Sequence, residues 1–309
     1  MKSLIKVNNI SKTFGKKKAL KNISFDVDCG EIIGIVGHNG AGKTTLINCI
    51  VDIYKQDKGS IEYLFDKKAL QDHIGVQMQH SHFENKAKVM DICKLYKDIT
   101  GSDEDINELL KDFDLYKERK TYIKHLSGGN KQRLAVLLAL IHHPDVIFLD
   151  ELTTGLDPVA RRVTWNILKK INKNKDITII LTSHYLDEIE YLANRILILN
   201  EGEMAYLGTV TDAIDKYSHG EKIIEFQLKD SNGKFKLFKY NPKELPDGRY
   251  QIQTDDDESV LKYLLEHVGI KNLAVKSPSL EDVFLEVAGY KLDEKGDIIN
   301  EKSESIRSI

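Results

Sequence analysis

Cysteine is scarce: the 309 residues contain only three, Cys29, Cys49 and Cys93. They share no metal-type spacing, and an odd number cannot form a closed disulfide framework. With no secretory leader, that usage fits a reducing cytosol. Long apolar runs are also missing. The longest, Leu134 to Ile141, is about eight residues, far short of the ~18 that a membrane helix needs. This excludes a membrane span. The chain is expected to be soluble, with any membrane role supplied by a partner. An excess of one charge sign is missing too: 45 Lys and Arg stand against 48 Asp and Glu, a formal net charge of −3. There is no bulk basic signal for nucleic acid or a membrane surface. The local run Lys16-Lys17-Lys18 reads as a solvated loop.

The chain does hold 41% apolar residues, ample for a buried core. Its length suits one large domain plus a small one. The central feature is Gly37-His38-Asn39-Gly40-Ala41-Gly42-Lys43-Thr44-Thr45. It follows the apolar run Ile32 to Val36, a buried strand, and precedes Leu46 to Ile50, a helix start. Strand, glycine turn with Gly-Lys-Thr, then helix is a phosphate-binding loop. Glycines let the backbone wrap a phosphate, successive N–H groups form an anion nest, and the helix dipole adds positive potential. In such a loop Lys43 reaches the β- and γ-phosphates, and the Thr44 hydroxyl ligates Mg²⁺.

Around this loop lie further elements. Leu4 to Val7 is a short strand, Ile23, Phe25 and Val27 alternate as in a half-buried strand, and Ser11 to Gly15 forms a loop between them. Lys58-Gly59-Ser60 reads as a turn, followed by strands at Ile61 to Phe65 and Ile74 to Val76. Val89, Ile92, Cys93 and Tyr96 form a helical stripe, repeated at Ile106, Leu109, Leu110 and Phe113. These predict a helical insertion over about 84–142. It ends at Leu126 to Gln132, where Ser127 stands as N-cap of a helix starting in glycines. Val146 to Leu149 is a buried strand ending in Asp150-Glu151. Ligands of open parallel sheets bind beyond the carboxyl ends of the strands, so two tandem carboxylates there favour handling of Mg²⁺ and water. Gly155 to Pro158 turns into a helix, Ile177 to Thr182 delivers Ser183-His184 to the same edge, and Arg195 to Leu199 is the last strand expected.

With these segments in order, residues 4 to 215 resemble the ATP-binding subunit of ABC transporters. The fold implied is α/β, a P-loop NTPase of the ABC ATPase type with a helical subdomain. Gly37 to Thr45 resembles Walker A, with Asn39, Gly40, Ala41, Gly42, Lys43, Thr44 and Thr45 implied at the nucleotide. Gln79 fits the Q-loop glutamine, implied at the metal, better than Gln77. Leu126 to Gln132 resembles the signature motif, with Ser127, Gly128 and Gly129 implied at the nucleotide of a second chain. Asp150 resembles the Walker B aspartate, Glu151 the catalytic glutamate, Asp157 the D-loop aspartate and His184 the switch histidine. Phe14 fits the aromatic that stacks on adenine. The family usually has proline after the catalytic glutamate, and Leu152 in its place is expected to loosen that connection.

The resemblance implies ATP and Mg²⁺ as cofactors, a head-to-tail homodimer of ATPase subunits, and attachment to the inner face of the membrane through an integral permease. No nucleic-acid partner is expected. The rival classes are an ABC ATPase acting on ribosomes or DNA, and an ATP-sensing regulatory subunit. The first would carry two motif sets or long coiled-coil insertions; intact Glu151 and His184 argue against the second.

Beyond residue 218 the pattern is that of a small α+β domain, about 219–290. Ile224, Phe226 and Leu228 alternate, as do Tyr250 and Ile252, and Phe235 and Leu237 mark another strand. Val260, Leu264 and Val268 lie on one helix face ended by Gly269, Leu273 to Lys276 is a strand, and Ser277-Pro278 reads as N-cap and N1 of a helix. Ser279 to Leu285 resembles the closing helix of daunorubicin-resistance-like ATPases, a group that mostly exports drugs, antibiotic peptides, lipids or sodium. The polar stretch 291–309 is expected to be disordered.

Overall fold

The computed structural model describes residues 2–78, 86–218, 221–229, 239–287, 290–292 and 298–300. Alternating apolar residues at the N-terminus build an antiparallel pair, β1 (Ser3–Phe14) and β2 (Lys17–Asp28). Both outrun the alternation. Ser11 to Phe14, expected as loop, continues β1 and pairs with β2 as far as Phe14 opposite Lys17. β3 (Ile32–Val36) leads into α1 (Lys43–Ile50). β4 (Lys58–Tyr63) joins the free edge of β1. Lys58 to Ser60 is therefore strand rather than turn. A register shift between Asn8 and Ser11 absorbs Gly59 and hides the pairing from a period-2 reading.

The second sheet holds the site. After α2 (Leu70–His73) come β5 (Ile74–Gln77), α3 (Val89–Thr100), α4 (Ile106–Asp112), α5 (Gly128–Leu140) and β6 (Val146–Asp150). Then follow α6 (Pro158–Lys175), β7 (Thr178–Thr182), α7 (Leu186–Leu192), β8 (Arg195–Asn200) and β9 (Glu203–Thr209). The strand order is β5-β6-β7-β3-β8-β9, parallel except for β9. β3, β6 and β7 are buried at every residue, as parallel strands covered on both faces must be. β9 extends the sheet past Leu199, where it was expected to close. Only Tyr206 of β9 is buried, so its sequence carries no alternation. Ile5, Val7 and Phe25 of the first sheet, Leu46 and Ile47 of α1, and Phe148 and Leu197 of the second share one core. In the helical insertion Val89, Ile92 and Cys93 are buried, whereas Tyr96, the fourth member of that stripe, is exposed.

Backbone contacts divide the chain into Met1–Thr209 and Val210–Ile309. The break precedes α8 (Val210–Ser218), not Ser218, because α8 packs with the last helix of the second unit. That unit contains β10 (Lys222–Leu228), β11 (Lys243–Glu244), β12 (Tyr250–Thr254), α9 (Asp257–His267), β13 (Ile270–Lys276) and α10 (Leu280–Val287). Its antiparallel sheet, ordered β11-β12-β10-β13, covers Val260, Leu264 and Val268 with Ile224, Phe226 and Ile252. Phe235 and Leu237 lie outside the described residues. α10 starts later than Ser277-Pro278 suggests. A capping pair needs an acceptor three residues on, and Ser279 has it: its N–H and hydroxyl both donate to Asp282 Oδ2 at 2.8 Å. Within the stretch expected to be disordered, β15 (Ile298–Asn300) pairs with β14 (Tyr290–Leu292).

Candidate functional site

The loop between β3 and α1 lies at the carboxyl edge of the parallel strands. Gly42 has φ 111°, and a Cβ there would lie 2.7 Å from the Ala19 carbonyl oxygen. Only glycine suits both the backbone conformation and that approach. The same carbonyl packs against Gly202, where a Cβ would lie 2.6 Å away. Lys21 N–H donates to Gly202 O at 2.7 Å, and Gly202 N–H donates to Ala41 O at 3.0 Å. The β8–β9 turn, β2 and the loop thus form one seam.

Lys43 is 6% exposed. Its ammonium donates to Gly37 O at 2.7 Å and His38 O at 3.3 Å. Burial pushes its pKa down, opposed by the carboxylates of Glu151 and Asp150. Asp150, at the end of β6, accepts from Thr182 Oγ1 at 2.6 Å and Thr44 Oγ1 at 3.3 Å. Glu151 sits in the left-handed region at φ 52°, a conformation that costs a non-glycine residue about 1–3 kcal/mol. Its N–H donates to Thr182 O at 3.2 Å and Thr182 Oγ1 at 3.0 Å. This turns its carboxylate toward His184, whose Nε2 lies 2.5 Å from Glu151 Oε1.

A cleft of about 470 Å³ brings together Phe14, Asn39, Gly40, Gly42, Lys43, Thr44, Thr45, Glu151 and His184, while Asp150, 2% exposed, is not among the residues lining it. Ala41 is buried behind the loop, 1% exposed. The cleft does not include Ser127, Gly128, Gly129 or Asp157. Ser127 caps α5 by accepting from Asn130 N–H at 3.2 Å, and Asp157 caps α6 by accepting from Val159 and Ala160 N–H, both at 3.0 Å. Gln79 lies outside the described residues; Gln77 is buried on β5 and donates to Met78 O at 2.7 Å. Leu152 is not a loose joint. It is 2% exposed, and the turn is tied by Thr154 N–H to Glu151 O at 3.2 Å.

Sequence reasoning missed Lys17. Read as solvated loop, it is the strand partner of Phe14, lines the cleft and makes no ion pair among the described residues. Extending the hairpin pairing to Phe14 would have found it.

The cleft fits a nucleotide polyphosphate. No side chain caps α1, and its first residues line the cleft, leaving a helix N-terminus for an anion. The Thr44 hydroxyl and Asp150 carboxylate fit Mg²⁺, a hard ion bound through one or two protein oxygens plus phosphate and water.

The ABC transporter family model matches residues 20–154. An uncharacterized ABC transporter ATP-binding protein of Methanocaldococcus jannaschii is 34% identical over 296 residues, 93% of this chain and 100% of that protein. The chain belongs to the ATP-binding subunits of ABC transporters. This ATP-binding subunit is also 31% identical over 311 residues to the linearmycin resistance ATP-binding protein LnrL of Bacillus subtilis, covering 94% of this chain and 99% of LnrL. It is 34% identical over 253 residues to the methionine import ATP-binding protein MetN of Clostridium tetani, covering 76% of this chain and 79% of MetN. Among solved structures, an ATP-binding subunit of an ABC transporter matches with a TM-score of 0.62 at 25% identity, over 70% of this chain and 93% of that one. A dimeric bacterial ABC transporter cassette matches with a TM-score of 0.59 at 26% identity, over 67% of this chain and 98% of that one. As a member of this family, the ATP-binding subunit hydrolyses ATP on an α/β P-loop fold.

Proposed function

We propose that this subunit powers export through a separate membrane permease, working as a head-to-tail homodimer at the cytoplasmic face of the membrane. Export is supported by the reach of the likeness to LnrL, a resistance protein, which runs through the second unit as well as the first. The likeness to MetN, an importer, covers less of the chain. No described helix is long and apolar enough to cross a membrane, so in this reading the membrane path is supplied by a separate permease.

In this reading Lys43 and the amides of residues 39–45 hold the phosphates, and Phe14 stacks on the base. Thr44 and Asp150 hold Mg²⁺, which neutralises phosphate charge when bound. Glu151, held toward the cleft by its strained backbone, orients or polarises the attacking water, and His184 contacts the γ-phosphate. Gln79 connects the site to the permease. Ser127 and Gly128 are exposed and lie outside their own cleft, which leaves them for the nucleotide of a second copy, with Asp157 holding the adjoining turn. Catalysis is then positioning and charge stabilisation rather than covalent chemistry.

The test is a deletion strain carrying either the wild-type gene or Lys43→Ala. Export predicts that loss of the subunit raises retention of labelled amphipathic antibiotics, and that only the wild type restores efflux. Unchanged retention together with a defect in methionine uptake would overturn export in favour of import.

A further inference from the structure

Glu188 is a buried carboxylate that the nucleotide site does not use. It lies on α7 and is 1% exposed. Donors from two separate segments converge on it: Thr153 Oγ1 to Oε2 at 3.0 Å, and Trp165 Nε1 of α6 to Oε1 at 2.7 Å. Thr153 and Ser183 are themselves 1% and 2% exposed. Burial pushes the Glu188 carboxyl above the ordinary carboxylate range, while the nearby Ser183 hydroxyl, the hydrogen bonds from Thr153 and Trp165, and then the Arg161 charge pull it back.

The sequence positions of these donors matter. Thr153 stands just beyond Glu151, and Glu188 itself lies on α7, which begins two residues after His184. One side chain therefore ties the loop leaving β6 to the helix that directly follows the loop leaving β7. Those loops carry the two groups that meet across the cleft at 2.5 Å. A buried carboxylate is costly to desolvate, and an apolar residue of similar volume is often neutral or better for stability. Space-filling alone does not account for it.

We propose that Glu188 is a positioning residue for ATP hydrolysis: it holds Thr153 to α7, the helix that follows His184, and through that tie fixes Glu151 against His184. It touches no reacting atom. The inference rests on the roles given above to Glu151 and His184. It predicts a loss in turnover without a loss in nucleotide binding, because the tie's hydrogen bonds join only Thr153, Trp165 and Glu188, not the phosphate loop or α1. A displacement of about 1 Å at a reacting group costs roughly 100-fold in rate, so a partial slip should cost about 10-fold or more.

The experiment uses the full-length chain, steady-state ATPase assays and binding of the fluorescent analogue mant-ATP. Glu188→Ala and Thr153→Val should each lower kcat about 10-fold or more, with Kd for mant-ATP within about two-fold of wild type. The double variant should be no slower than the worse single, since both break one tie. Glu188→Gln should recover most of kcat: its amide oxygen accepts from Trp165 and its amide N–H donates to Thr153. Trp165 is the only tryptophan, so its emission should shift in Glu188→Ala but not in Thr153→Val. Thr153→Val keeps the volume of the side chain and decides the matter if Glu188→Ala does not fold. The proposal is overturned if folded Thr153→Val keeps wild-type kcat, or if kcat and binding fall together. Glu151→Gln is the control for the underlying reading: wild-type turnover there sinks both, whereas unchanged turnover confined to Thr153→Val and Glu188→Ala sinks this proposal alone.

Discussion

Removing the Phe14 ring isolates the contribution of base stacking. Phe14 ends β1 at the rim of the cleft and is 43% exposed. Its ring meets Tyr54 edge-on at 5.4 Å and 73°, and Lys12 Nζ lies 5.4 Å from its centroid. So exposed a ring contributes little to the core, and Phe14→Ala should change folding stability by only about 0.5–1 kcal/mol. Stacking of a base on an aromatic is worth about 1–3 kcal/mol by alanine substitution. At 1.4 kcal/mol per factor of ten, the Kd for ATP should rise roughly 5- to 150-fold. The stack is the same in the ground state and the transition state, so kcat at saturating ATP should change less than about two-fold and the loss should appear in KM. Phe14→Tyr and Phe14→Trp keep a π-face and should keep affinity, while in Phe14→Ala GTP and ATP should weaken in parallel. Calorimetric titration with a non-hydrolysable ATP analogue, paired with steady-state kinetics, measures both. An unchanged Kd in folded Phe14→Ala would place the base elsewhere, and a loss of kcat at saturation with Kd intact would make the ring part of the chemistry.

Glu151→Gln should lower turnover by about 100-fold or more while retaining ATP, and by linkage the trapped nucleotide should hold the dimer together. Gel filtration in Mg-ATP checks this, and a persistent monomer at high concentration would count against the head-to-tail arrangement. Gly42→Ala forces a Cβ toward the Ala19 carbonyl at a positive φ; it should abolish ATP binding and cost about 1–3 kcal/mol of stability. Wild-type calorimetric affinity in that variant would show that the loop rebuilds. Burial pushes the Cys93 thiol up to about 12 and raises that of Cys49, whereas Cys29 is exposed. Since the thiolate is the reactive form, a thiol titration at about pH 8 should detect Cys29 alone in the native chain and all three cysteines after unfolding. Fast labelling of Cys93 in the native state would contradict the packing of α3.

Half-buried strands such as β1, β2, β10 and β12 were legible from their alternation. β3, β6 and β7 read directly from apolar runs because a covered parallel strand has no polar face. The phosphate loop and the Asp150-Glu151 pair were legible because their chemistry dictates residue type at fixed spacing. β9 was not: an edge strand with one buried residue carries no pattern. The β4 pairing was hidden by a register shift at Gly59, and the exact start of α10, though not the helix, by a capping pair whose acceptor lies three residues downstream of Ser279 rather than Ser277. Lys17 and Glu188 were missed for a common reason. Lys17 acts through a strand partner, and Glu188 bonds to residues on two other segments, so neither relation is visible along the chain. The same holds for Ser127 to Gly129, whose spacing is plain but whose nucleotide is proposed to sit on another copy.

The seam at Ala19 binds three distant segments into one heritable unit. Gly202 belongs to a β-turn with no chemical duty, yet it presses on the carbonyl that presses on Gly42, and its N–H is held by Ala41. A bulky allele at Gly202 should therefore pass in a genetic screen for a lesion of the phosphate loop itself. Its second-site suppressors should map to the neighbourhood of Ala19 or Ala41, not to the flanks of the turn, and codons at these three places are not free to drift independently.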